Sequence, residues 1–216
     1  MEDIQYNKKL VIVGAGGFGR EIESWISNSN LSDEYDIIGY LDDNLNKLDD
    51  YKTDLKIINN ISLQSLTEAG NIVIAISDSN VKKKIFELQK ENKSFNILSF
   101  FHSTTTLGKY STIDTGCVAT INTIISCNCL IGKGVFINSG SQIGHDVKIG
   151  DYCSLMANVD IGGGAIIGDN VFIGTGAVIL PGVKICSNVR IGAGSVVLRN
   201  IKKEGTYFGN PVKKIF

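Results

Sequence analysis

Histidine is nearly missing from this 216-residue chain: His102 and His145 carry every imidazole. Three imidazoles for a zinc site cannot readily be found in that stock, so no metal is expected. Proline is as scarce, with 2 residues against 24 glycines, the balance of a turn-rich globular chain. Neither sign of charge is in excess. Lys and Arg number 21 against 22 Asp and Glu, a net charge of −1 with the cations scattered. Without a basic stripe or polybasic segment, neither nucleic acid nor membrane insertion is expected. No apolar run approaches the roughly 18 residues of a membrane-crossing helix, and the opening MEDIQYNKKL lacks the apolar core of a secretory signal. The five cysteines (Cys117, Cys127, Cys129, Cys153 and Cys186) are an odd number. They suit free thiols in a reducing cytoplasm.

What the chain does have is a period of six. An aliphatic residue recurs at Ile131, Ile137, Ile143, Ile149, Leu155, Ile161, Ile167, Ile173, Ile179, Ile185, Ile191 and Val197, and the register runs back through Ile125, Ala119 and Ile113 to Leu107. Four places after each aliphatic stands a small or β-branched residue, such as Val135, Ser141, Val147, Cys153 or Ala165. Six fits neither a helix nor an amphipathic strand; it is the signature of a solenoid. Each hexapeptide supplies one short strand and one turn. Three close a triangular coil of 18 residues, with the aliphatics stacked in a narrow interior and glycines at the corners.

The first hundred residues read differently. Leu10–Val13 is a short buried strand, followed at once by Gly14-Ala15-Gly16-Gly17-Phe18-Gly19 and a helix over 17–28. A second strand over 36–41 ends in Asp42-Asp43, about 20 positions after the glycines, where a dinucleotide fold holds its ribose. Further strands are expected at 72–76 and 96–98. Ser77-Asp78-Ser79 offers the cap of a helix with Val81, Ile85 and Leu88 on one face. The division is an α/β Rossmann-like domain over 1–98, a linker over 99–106 containing His102, and a β-helix domain over 107–216 with a C-terminal tail. The N-terminal part is half a dinucleotide fold, room for one nucleotide, which weighs against an NAD-linked enzyme or a plain nucleotide-binding module.

His145 interrupts a turn, Ile143-Gly144-His145-Asp146, where its ring should project outward beside a carboxylate that can orient it. An exposed turn histidine and a general base both fit that placement.

Three segments carry a resemblance: VIVGAGGFGRE with GYLDD after it, INSGSQIGHDVKIGDY, and FGNPVKKI at Phe208–Ile215. Together they resemble the sialic-acid O-acyltransferase-like family of hexapeptide-repeat acyltransferases, which includes N-acetyltransferases of nucleotide-linked 4-amino sugars of the bacillosamine and perosamine type. The resemblance implies a left-handed parallel β-helix, a homotrimer, and acetyl-CoA as cosubstrate. It implies N-acetylation of a nucleotide-activated amino sugar in bacterial surface-glycan synthesis, with sugar O-acetylation as the alternative. On this sequence it makes His145 the base, Asp146 its orienting partner and Asn138 a polar neighbour one coil face away. Gly14, Ala15, Gly16, Asp42, Asp43 and Ser77 would line the sugar-nucleotide pocket. CoA would run past Gly163, Thr175 and Ala193, its phosphates meeting Lys213 or Lys214. Ser154 stands where some members place a second histidine near the thioester.

Overall fold

The computed structural model describes residues 8–216, so the opening heptapeptide lies outside the described residues. The N-terminal part contains β1 (Lys8–Val13), α1 (Gly17–Trp25), β2 (Tyr35–Leu41), β3 (Ile57–Asn59), α2 (Leu63–Ala69), β4 (Asn71–Ile74), α3 (Ser79–Asn92) and β5 (Asn96–Ile97). They form one parallel sheet in the order β3-β2-β1-β4-β5. Leu10, Val11, Ile12 and Val13 are all buried because the central strand is covered on both faces. Val11 and Val13 pack with Leu66 of α2 and Ile85 of α3. Leu10 and Ile12 pack with Ile22 of α1 on the other side. Neither β3, a three-residue edge strand, nor α2, capped by Ser62 and stopped at Gly70, was expected from the sequence. Helix α1 stops at Trp25 and continues as a 3-10 turn over Ile26–Asn28.

The C-terminal part is the expected left-handed parallel β-helix, made of two-residue strands in three parallel sheets. Ile125 pairs with Ile143, Ile131 with Ile149 and Ile137 with Leu155, so each coil takes 18 residues. The aliphatics from Ile131 to Val197 form one buried cluster with Val135, Val147, Cys153, Ala165 and their equivalents. At the lower end, Leu107 is half exposed, since no coil lies beneath it to cover it. Pairing starts inside the segment read as a linker: Phe100–Phe101 is a strand bonded to Val118–Ala119. His102 is not a free linker residue but is buried beside the edge of Trp25.

The two parts share a core. One face of the prism is the sheet containing Phe100–Phe101, Val118–Ala119, Phe136–Ile137, Ser154–Leu155 and Phe172–Ile173. Phe100, Val118 and Phe136 pack directly against Leu10, Ile12 and Ala15. The rings of Phe18 and Phe136 lie 4.0 Å apart. On the same face a charged side chain is buried: Lys82 of α3, 2% exposed, whose Nζ donates to the Cys153 carbonyl at 2.9 Å and to Ser154 Oγ at 2.8 Å.

Burial pulls the Lys82 ammonium down to about 8 from its ordinary 10.5. Between those values the unfolded chain binds more protons than the folded one. The charging penalty is therefore complete below pH 8 and relieved as pH rises toward 10.5. It amounts to at most about 3 kcal/mol. Cys117 and Cys153, pushed up to about 12 by burial, act in the opposite sense above pH 9. They remain in a Lys82→Met variant, whose Cys153 carbonyl still accepts from the Phe136 N–H. The melting temperature of Lys82→Met minus that of the wild type should therefore fall steadily from pH 7.5 to pH 10. A difference independent of pH would show that Lys82 is not depressed.

Candidate active site and substrate clefts

His145 sits on the prism edge between the strands Gln142–Ile143 and Lys148–Ile149, which belong to different sheets. Asp146 adopts a left-handed backbone, φ 61°, at the corner position that Asn122, Asn128, Asn158, Asn170 and Asn188 occupy in other turns. Asp and Asn tolerate that conformation better than most residues. The turn brings Asp146 Oδ2 within 2.7 Å of His145 Nδ1. An ionised carboxylate only accepts, so Nδ1 carries the proton and the Nε2 lone pair is free. One coil above, Gly163 lies against the ring; a Cβ there would stand 2.6 Å from His145 Nε2. Both side chains of the pair are more than half exposed, as a base that must meet a substrate requires.

The other expected residues fall in separate places. Asn138, Thr175 and Ala193 lie on a different edge, between the eight-stranded sheet and the sheet containing Gln142–Ile143. Asn138 is therefore separated from His145 by one face of the coil; its Oδ1 accepts from the Ser139 N–H at 2.7 Å. Nor do Gly163, Thr175 and Ala193 make one continuous track on this chain. Ser154 is completely buried under the N-terminal domain, donating to the Ser77 carbonyl at 2.8 Å, so it cannot meet a thioester at the surface. The outward positions of a coil alternate between faces, and sequence spacing alone did not show which face the N-terminal domain covers.

The glycine loop turns as expected, with its roles redistributed. Gly14 and Ala15 are buried beneath it, and a Cβ at Gly14 would stand 2.8 Å from the Ala75 carbonyl. Asp42 does not stand free for a ribose: Oδ2 accepts from the Ala15 N–H at 2.8 Å and Oδ1 from the Asn44 N–H at 2.9 Å, tying the loop to β2. Asp43 accepts from the Ile61 N–H, and the backbone carbonyl of the exposed Ser77 accepts from Ser154 on the prism. Gly16 alone of the expected set lines an open cleft of about 440 Å³, with Gly17, Arg20, Asn46, Lys47 and Tyr51. The Arg20 guanidinium stacks 3.6 Å over the Tyr51 ring. Gly16 is the N-cap of α1 without a side-chain cap, leaving first-turn N–H groups facing the cleft. Arg20, one turn into the helix, was legible in the sequence as the cation nearest the glycines; the 44–51 loop carried no motif.

A second cavity, about 580 Å³, opens at the end of the prism between Leu198–Lys203 and Tyr207, Pro211 and Val212. Its cations are Arg199, Lys202 and Lys203. Lys213 and Lys214 instead form a short strand against Tyr207–Phe208 and do not line it.

Gly16 has nothing within 4 Å of its absent Cβ and an ordinary φ of −71°. No packing inside the chain requires a glycine there, and the cleft is open at that point. Gly16→Val should leave the melting temperature within the roughly 1 kcal/mol of a helix-cap change. It should weaken nucleoside-diphosphate binding at least tenfold by calorimetry. Undiminished affinity would make the loop a structural turn only.

Residues 9–88 match the PglD N-terminal domain family, and three windows, 128–163, 147–180 and 164–199, match the bacterial transferase hexapeptide (six repeats) family. Among solved structures, the acetyltransferase domain of PglB from Neisseria gonorrhoeae is similar with a TM-score of 0.85 at 24% identity, covering 97% of this chain and 100% of that one. The same domain in complex with acetyl coenzyme A gives 0.73 at 26%, with the same coverage. A single-histidine variant of perosamine N-acetyltransferase from Caulobacter crescentus, in complex with CoA and GDP-perosamine, gives 0.83 at 23%, covering 95% of this chain and 96% of that one. With its glycine-loop domain set on a hexapeptide prism, the chain joins a PglD N-terminal domain to bacterial transferase hexapeptide repeats.

Proposed function

We propose that this protein transfers the acetyl group of acetyl-CoA to the amine of a nucleotide-linked amino sugar, in bacterial surface-glycan synthesis. The observation that carries the reading is the exposed His145, held through Nδ1 by Asp146 with Nε2 clear. The solved relatives bound to CoA, acetyl-CoA or GDP-perosamine support it. The sugar amine attacks the thioester carbonyl carbon, and the tetrahedral intermediate expels CoA as its thiolate. Nε2 takes the amine proton and returns it to the thiolate, while Asp146 stabilises the imidazolium. The Gly162 and Gly164 N–H groups donate to the Ile179 and His145 carbonyls, which leaves the Gly163 N–H as the oxyanion donor on this chain. The Gly16 cleft takes the nucleotide, and the cavity around Arg199 and Lys202 takes the phosphates of CoA. Free thiols, together with these two substrates, support a cytoplasmic location.

The active site is shared between chains of a homotrimer. The His145 edge lies opposite the prism face that carries the N-terminal domain, so one chain cannot bring its own cleft to its own base. A neighbour can lay its Asn138, Thr175 and Ala193 edge alongside His145 without any domain moving. The sheet face between the two edges exposes Ile124, Leu180 and nearby Leu198, apolar area suited to such a contact.

His145→Ala should lower kcat by roughly 10²–10⁴ with CoA affinity nearly intact. Asp146→Asn should lower it about tenfold, since Asn occupies the same corner elsewhere and only the charge is lost. Gly163→Ala should also lower kcat by displacing the ring, with little change in melting temperature. Wild-type turnover in His145→Ala would remove the base from the mechanism.

Co-expressing His145→Ala with Ala193→Trp should recover part of the activity that each lacks, because mixed trimers contain grooves pairing an intact base with an intact edge. Verified mixed trimers that recover nothing, or a monomer by light scattering, would place each site within one chain.

A further inference from the structure

Every coil of a solenoid offers nearly the same surface as the coil before it. The face beneath the N-terminal domain presents, one coil at a time, Phe100, Val118, Phe136, Ser154 and Phe172. At the lower end the domain is bonded to the prism through Asn28, Asn30, Phe101 and Ser103; higher up, apolar contact is non-directional and by itself would not hold the domain to one coil. Of these five side chains one carries a polar atom, Ser154; the next coil presents Arg190, which is exposed and lies over the Phe172 ring. The Ser154 hydroxyl is completely buried, donating to the Ser77 carbonyl at 2.8 Å and accepting from Lys82 Nζ at 2.8 Å. Lys82 also bonds the Cys153 carbonyl of the same coil. Ser77 follows β4 at the carboxyl edge of the sheet, and Lys82 lies in the first turns of α3. Ser154 is thus inserted between the loop and the helix it begins. A shift of one coil would face Lys82 with Phe136 or Phe172 and leave a buried ammonium unpaired, which is strongly unfavourable.

We propose that Lys82 and Ser154 form a register lock that sets the position of the substrate-binding domain along the prism, making Lys82 a positioning residue for acetyl transfer. Both side chains are far from His145, so they act only through the placement of the bound sugar. The inference rests on the acetyltransferase reading above.

The lock is separable from simple stabilisation. Lys82→Met and Ser154→Ala each break it; Lys82→Met combined with Ser154→Ala removes both polar side chains from the seam. Replacing a buried polar cluster by apolar groups often restores stability. The double variant should melt at or above the temperature of either single variant, and should bind nucleoside diphosphate and CoA with wild-type affinity. Its kcat should stay 10- to 100-fold low, as a misplacement of about 1 Å implies. A kcat that recovers with the melting temperature would reduce the pair to a structural contact and overturn the proposal. Should a single variant not fold, the double variant carries the test. Wild-type protein inactive on every nucleotide amino sugar would count against the functional reading, not the lock. The lock is then read from the distance between orthogonal spin labels at positions 93 and 148. That distribution should broaden or shift in the double variant, and an unchanged one would overturn the lock.

Discussion

The stacking of one aliphatic on the next at 18-residue intervals is the constraint on which the rest of the structure depends. Each buried Ile or Val contributes about 1.5–3 kcal/mol by leaving water, and each is held at a fixed height by the parallel pairing of its two-residue strand. The triangular interior has room for one such side chain per face and for a small residue near each corner, which is why Val147, Cys153 and Ala165 are buried beside Ile149, Leu155 and Ile167. Freedom to vary remains only at outward positions and corners. A side chain placed there is rigidly mounted, its neighbours above and below set by the coil repeat. Chemistry at an edge of this fold is preorganised because the interior permits little adjustment.

The repeat also explains what could be read from the sequence. A period of six, an aliphatic and a small partner fixed the solenoid, its coil length and the outward projection of His145, because each follows from local backbone geometry. The strand, glycine loop and helix at 10–28 were legible for the same reason. Three things were not. Asn138, Thr175 and Ala193 share an edge with one another but not with His145, and only the closure of the prism into three faces reveals that. Ser154 occupies an outward position like many others; its burial depends on where a second domain docks, which is encoded in Phe18, Phe136 and Lys82 from segments more than 50 residues apart. Asp42 matched a ribose-binding position by distance, yet its carboxylate accepts from Ala15 and Asn44 N–H groups. A loop that must turn under a sheet edge claims the nearest acceptor, and spacing does not show which claim prevails.

The glycines divide on the same physical ground. At Gly14 a side chain would strike the Ala75 carbonyl, and at Gly19 it would strike the Gly14 carbonyl, so both are demanded by the fold itself. Gly16 faces open space. A motif that reads as one unit in the sequence therefore contains two residues serving packing and one whose smallness has no internal use. The last is informative about a ligand.

Departures from the repeat are informative in the same way. Along the corner stack that runs through Cys127, His145, Gly163 and Pro181, bonded coil to coil through the backbone, the imidazole is the one side chain that carries a nitrogen lone pair. It is served by two local adjustments: a carboxylate where other turns carry Asn, and a glycine where any Cβ would meet the ring. Along the outward stack Phe100, Val118, Phe136, Ser154 and Phe172, the hydroxyl is the one polar group, and it is served by a lysine from another domain. Phe208 folds back over Gly192, where a Cβ would stand 2.2 Å from its ring, and so covers the last coils. In each case the odd residue makes no sense within its own coil and makes sense with a partner outside it. For a protein built from near-identical units, an interruption matched by a partner marks a place where the fold has been given a position, an end or a reaction.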